Sequence, residues 1–155
     1  MALHLLEFIA TLCAGIFAGA ALYVTLAEHP ARLSCDTRTA VSQWAPSYKR
    51  ATLMQAPLAI LSFLSGLLAW LLGAGIVWLY AAALIGLAVP FTLIVIMPTN
   101  QRLIEKDRDL ASEQTRLLLV RWGALHAVRT WLSLAAFVID LWLVTAVQLT
   151  IGAGH

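Results

Sequence analysis

At 155 residues, 61% of them hydrophobic and only 12% charged, the chain carries more apolar surface than a soluble domain of its size can bury; this excludes a soluble globular enzyme and indicates an integral membrane protein. A spanning helix takes about 20 mostly apolar residues, and four stretches qualify, roughly 5–27, 51–72, 76–97 and 124–149. Together they use most of the chain and predict a single membrane domain over 1–155.

The first stretch has Glu7 where a signal peptide carries a basic region, so it reads as the first span. Its "GIFAG" sets Gly15 and Gly19 four apart, a spacing that lets helices pack closely, within the bundle or between copies in a homo-oligomer. At "EHPAR", Pro30 disfavours α geometry for His29, which predicts a helix end there. The polar loop that follows holds a short interfacial helix over 39–44, broken at Pro46. The second span starts after Arg50, with Gln55 and Pro57 in its first turns and small residues Ser62, Ser65 and Gly66 suited to a helix contact. The third span contains Pro90 and ends at "MPTNQRL", where Pro98 stops one helix and Thr99 or Asn100 caps the next. The charged segment beyond is helical in pattern, and Ser112 is a candidate cap for the fourth helix. The fold class expected is all-α, an up-down four-helix membrane bundle.

All 10 Lys and Arg fall within 28–50 and 98–129. The positive-inside rule therefore puts both polar loops in the cytoplasm and both termini outside, a multi-pass protein of the cell (inner) membrane. Trp70, Trp78 and Tyr80 flank the short "LLGAG" turn as an outer aromatic belt would. The net charge of +2 follows from this topology and is no argument for nucleic acid. Cys13 and Cys35 lie on opposite sides of a helix end and are expected to remain unpaired.

Polar side chains are costly inside a bilayer, so each marks a candidate function. His29, Trp44, Tyr48, Arg50, Gln55, Asn100, Trp122, His126 and Arg129 all gather at the cytoplasmic end, from all four helices, where they could ring one pocket. Trp122, His126 and Arg129 are spaced i, i+4, i+7 and share a helix face. Each also has a plainer role: arginines snorkel, tryptophans mark interfaces, asparagine caps helices. Asp140 shares the face of His126 and Ser133 deep in the fourth span, where it must be neutral, hydrated or paired. Glu28, His29, Asp36 and His126 could supply two histidines and a carboxylate to iron, copper or zinc, but no HxxxH or ExxH lies on one helix, so a metal-dependent oxygenase is the weaker alternative. A non-enzymatic lipid-binding or assembly subunit, with Arg50 and Arg129 on headgroup phosphates, is the other.

The blocks "GIFAGAALYVTLAEHPAR", "WAPSYKRATLMQAPLA", "PTNQRLI" and "RWGALHAVRT", taken in order, resemble the anthrone oxygenase family of small membrane proteins. The likeness runs from about Gly15 to Thr130 and meets the family at His29, Pro30, Arg32, Trp44, Tyr48, Arg50, Gln55, Pro98, Asn100, Trp122, His126 and Arg129. It implies a four-helix membrane oxygenase that oxidises a hydrophobic, anthrone-like substrate with dioxygen as co-substrate and no other cofactor. Under it His126 and His29 are the candidate bases, since histidine titrates near neutral pH. Arg129, Arg50, Asn100 and Tyr48 are candidate donors to a developing oxyanion. Trp44 and Trp122, with Arg50 and Gln55, would hold the flat substrate.

Overall fold

Four helices make up the computed structural model, which describes residues 1–152, with side chains to residue 146. They are α1 (Ala2–Leu33), α2 (Thr37–Ala74), α3 (Ile76–Leu103) and α4 (Glu113–Gly152). Each is long and apolar enough to cross a membrane. Among the described residues there is no strand. The chain is an all-α, multi-pass membrane protein. Each helix packs on its neighbours in sequence and α4 closes the ring against α1, so the short links make an up-down bundle.

The packing reverses the pattern of a soluble bundle. Leu5, Phe8, Leu12 and Ile16 of α1 point outward, where only lipid can cover them, while the interior is lined by Ala10, Ala14, Ala18 and Ala21. Small residues let helix backbones approach, and dispersion and hydrogen bonds replace the hydrophobic drive that lipid cancels. Ser62, Ser65 and Gly66 serve this end as expected: Ser62 donates to the Ala10 carbonyl at 3.0 Å, and Gly66 faces Ala82. Of the "GIFAG" pair, Gly15 packs against the Phe137 ring of α4, whereas Gly19 meets nothing within 4 Å.

Local signals set the helix ends. The Asp36 carboxylate accepts the Thr39 amide at 3.1 Å to cap α2, and Ser112 Oγ accepts the Thr115 amide at 3.2 Å to cap α4, as its position predicts. The α2–α3 turn needs positive φ at Gly73 (95°) and Gly75 (99°), a region closed to most side chains. Cys13 and Cys35 are free.

The prolines correct the sequence reading. α1 runs through Pro30, α2 through Pro46 and Pro57, and α3 through Pro90 and Pro98, so neither the break at Pro46 nor the cap at Thr99 or Asn100 occurs. Before Pro30 and Pro98 the helix widens into a π turn, Val24–Glu28 and Thr92–Ile96; the His29 amide reaches back to Val24 and the Met97 amide to Thr92. The wider turn moves carbonyls away from the proline ring, removing the clash that would end a tight helix. Elsewhere one lost backbone bond is tolerated, as it commonly is in membrane helices. The helical pattern expected after Leu103 also fails over 104–112. There the Asp109 carbonyl takes the Ser112 and Thr115 hydroxyls, and such side-chain bonds compete with helix.

Candidate functional site

Between α2 and α3, near the end of the bundle that carries the 34–36 and 104–112 links, lies a cavity of about 100 Å³. Its walls are mostly small and apolar: Ala56 and Ala59 from α2, Ala88 and Val89 from α3. Its inner end is polar, formed by Tyr48, Gln55 and Arg129. A second, deeper cavity of about 20 Å³ shares those three residues and continues to Trp44, Trp122 and His126. That volume suits one water-sized molecule.

Arg129 is the unusual group. It comes from the third turn beyond Arg121 on α4, one helix face with Trp122 and His126. One Nη donates to Gln55 Oε1 at 2.9 Å and the guanidinium lies 5.6 Å from the Phe17 ring. Its Nε is buried without a partner, and among the described residues no carboxylate lies within ion-pair distance. The residue is half-buried, and a cation drawn partly out of water without a counter-charge favours an anion beside it.

His126 is fixed by hydroxyls. Its Nδ1 lies 3.1 Å from Thr25 Oγ and 3.3 Å from Thr130 Oγ, and the two hydroxyls are 2.8 Å apart. Thr130 Oγ also lies within reach of the Ala21 and His126 carbonyls, at 3.3 and 3.1 Å. Each hydroxyl has one proton to give. The arrangement that satisfies most acceptors runs from Nδ1–H to Thr25, from Thr25 to Thr130, and from Thr130 to a carbonyl. We assign that tautomer, which leaves the Nε2 lone pair for the cavity His126 lines.

An aromatic group surrounds His126. Trp122 stands 4.9 Å from its ring, Trp44 meets Trp122 edge-on at 5.7 Å, and Tyr48 stacks on Trp44 at 5.1 Å with planes 3° apart. The end of the bundle above is roofed by charge. Glu28 Oε1 accepts from Arg32 Nη2 at 2.5 Å, Gln43 Nε2 at 3.2 Å and Ser47 Oγ at 2.6 Å. Arg32 also donates to Gln43 Oε1 and lies over the Trp122 ring at 5.9 Å. Arg116 of α4 donates to the Leu33 and Cys35 carbonyls at the end of α1. In the 34–36 link, the Asp36 carboxyl is held below its ordinary value by its bonds from Thr39.

Of the residues expected at the site, the structure gathers His126, Arg129, Tyr48, Gln55, Trp44 and Trp122 around the two cavities. Three are placed elsewhere. Arg50 is exposed and lines neither cavity. Asn100 is wholly buried with its amide unpartnered and is not among the residues that line either cavity. His29 also lines neither: its Nδ1 accepts from Arg32 at 3.2 Å, and its ring is wedged between Trp122, 5.1 Å away, and Gly123. The lone pair a base would use is thus occupied. Among the described residues no three His, Cys, Asp or Glu side chains group as metal ligands, so Glu28, His29 and His126 do not form such a set. Asp140 is buried on the same side of α4 as His126 and Ser133, as its spacing predicts. Sequence reasoning missed Thr25, whose only signal is its wide turn, and passed over Thr130, one turn after His126 in the stretch that carries the site.

A family model described as anthrone oxygenase matches residues 44–139, which includes the α2, α3 and α4 parts of the site. Among curated proteins, the anthrone oxygenase tpcL of Aspergillus fumigatus is 39% identical over 72 residues, covering 44% of this chain and 45% of its own length. The chain thus spans a little under half the length of that relative. No solved structure matches significantly.

Proposed function

The chain belongs to the anthrone oxygenase family, and on that premise we propose that it is a membrane-bound oxygenase that oxidises a hydrophobic phenolic or anthrone-like substrate with dioxygen. In such a substrate a CH₂ lies between two aromatic rings and opposite a ketone. Losing one of its protons gives a phenolate-type anion, which passes an electron to dioxygen directly. Over the whole reaction the carbon loses two hydrogens and gains one oxygen atom, and the second oxygen leaves as water. No external reductant is consumed.

In this reading His126 Nε2 takes the carbon-bound proton, with Thr25 and Thr130 holding its other nitrogen. The negative charge would develop on the ketone oxygen, and the Arg129 guanidinium, the Gln55 amide and the Tyr48 hydroxyl, which line the larger cavity, would be its donors. Tyr48, which lines the larger cavity, would meet the rings, with Trp44 stacked behind it and Trp122 set against Trp44 and His126. The inner cavity is of a size for dioxygen beside the developing carbanion. We assign the protein to the cell (inner) membrane with both charged loops cytoplasmic, a reading supported by the distribution of Lys and Arg.

The observation that carries the proposal is the juxtaposition of a half-buried Arg129, without a counter-charge among the described residues, with His126 on one inner cavity. Oxygen uptake by the purified protein with anthrone tests it. Replacing His126 by Ala should lower turnover by roughly 10²-fold or more, the share a positioned base contributes, and unchanged turnover would overturn the assignment. Metal analysis of the same samples addresses the rival directly: one equivalent of iron, copper or zinc, lost in His126→Ala, would make that histidine a ligand.

A further inference from the structure

The larger cavity opens sideways. Its rim is formed by Thr52 and Ala56 on α2 and Leu93 on α3, all exposed on the outer surface of the bundle, while Phe17, Gln55, Ala59 and Ala88 form its buried floor. Residues 52–59 follow exposed Arg50, a side chain suited to the headgroup level, by two to nine positions. At 1.5 Å per residue the opening lies about 3–14 Å below that level, within hydrocarbon. The loop end, by contrast, is closed by the Glu28, Arg32, Gln43 and Ser47 bonds and by Arg116 on the α1 carbonyls. The α1–α4 seam is closed by the Thr25–Thr130–His126 bonds. A volume of about 100 Å³ is also well short of the roughly 300 Å³ or more of a small-molecule pocket, so a polycyclic ligand would lie partly in the opening.

We propose that this crevice is a lateral port: the ligand reaches His126 and Arg129 from within the bilayer, between α2 and α3, and not through the loop end. Its occupant is a lipid-dissolved, flat aromatic molecule with one acidic oxygen. It enters edge-on through the gap that the small side chains Ala56, Ala59 and Ala88 leave open, and Arg129, which lines both cavities, meets its oxygen. The identity of the occupant rests on the oxygenase reading; the route does not.

Thiol labelling in phosphatidylcholine vesicles tests the route without any turnover. In a Cys13→Ala, Cys35→Ser background, Ala59→Cys puts a thiol on the floor of the crevice, and Ala88→Cys provides a second site should the first fail to fold. An uncharged, lipid-soluble maleimide should label either thiol at least about tenfold faster than a sulfonated one. Adding Ala56→Trp at the exposed rim should cover the opening and slow that labelling by about tenfold, a rise of about 1.4 kcal/mol in the barrier. Equal labelling by the charged reagent, or no slowing by Ala56→Trp, would overturn the port. The expected labelling in a protein that leaves anthrone untouched would uphold the port and remove the enzymatic reading.

Discussion

Gly123 follows Trp122 on α4, and its Cα faces the His29 ring so closely that a Cβ there would collide with Nε2 and Cδ2. The ring has nowhere to retreat. Trp122 lies 5.1 Å from its centroid, Arg32 binds its Nδ1 at 3.2 Å, and the backbone of His29 is tied to Val24 by the wide turn. Overfilling a packed site costs about 1–3 kcal/mol, and a ring pinned on three sides belongs at the upper end. Replacing glycine by alanine inside a helix returns roughly 0.5–1 kcal/mol. Gly123→Ala should therefore destabilise the fold by about 2 kcal/mol. Gly19→Ala is the control: nothing lies within 4 Å of its Cβ position, so it keeps the gain alone. The two variants should differ by roughly 3 kcal/mol, about a hundredfold in the folding equilibrium. Unfolding in mixed micelles with rising dodecyl sulfate, followed by circular dichroism, measures the gap. Equal midpoints would refute the close approach of His29 to α4.

Thr25→Val keeps the shape of the side chain and removes the hydroxyl on His126 Nδ1; it should lower kcat about 10- to 100-fold, less than loss of the base itself, with KM little changed. The ¹⁵N shifts of the imidazole should show the tautomer mixture that results, and an unaltered tautomer would remove the role given to Thr25. Glu28→Ala leaves the buried Arg32 without its carboxylate; since Glu28 itself keeps 21% of its side chain exposed, the cost should fall near the lower end of the roughly 3–5 kcal/mol for a broken buried pair, read as a lower unfolding midpoint. Asp36 has a depressed carboxyl pKa through its bonds from Thr39. Its capping of α2 is therefore complete above the ordinary carboxylate value and is lost as pH falls through the lowered one. The protection of the Thr39 amide from hydrogen exchange, taken relative to the intrinsic rate at each pH, should fall on acidification in the parent chain and show no such dependence in Asp36→Asn.

The spans and the shared face of Trp122, His126 and Arg129 were legible because apolar length and the 3.6-residue period are one-dimensional signals. The error over Arg50 has the same root. Once α2 is continuous through Pro46, residues 44, 48 and 55 fall on one face and position 50 turns away from it, which agrees with its exposure. A proline taken as a break hid that arithmetic. Asn100 likewise follows Ile96 by four and precedes Leu103 by three, so it shares their buried helix face. The bond from Thr25 to His126 spans 101 positions, and no local spacing announces a hydroxyl partner at that distance. His29 looked like a base because its roof partners, Glu28, Arg32 and Gln43, are ordinary polar residues until the fold brings α1 against α2.

The π turns at Val24–Glu28 and Thr92–Ile96 act as gear changes. Each slips the rotational phase of its helix between the alanine-packed body and the loop end, so the two segments can be clocked independently. A chain built this way can turn its site residues relative to an unchanged membrane scaffold by gaining or losing one residue at the wide turn, leaving the packing contacts on the far side in place. Within such a bundle, specificity is free to drift by insertion and deletion as well as by substitution.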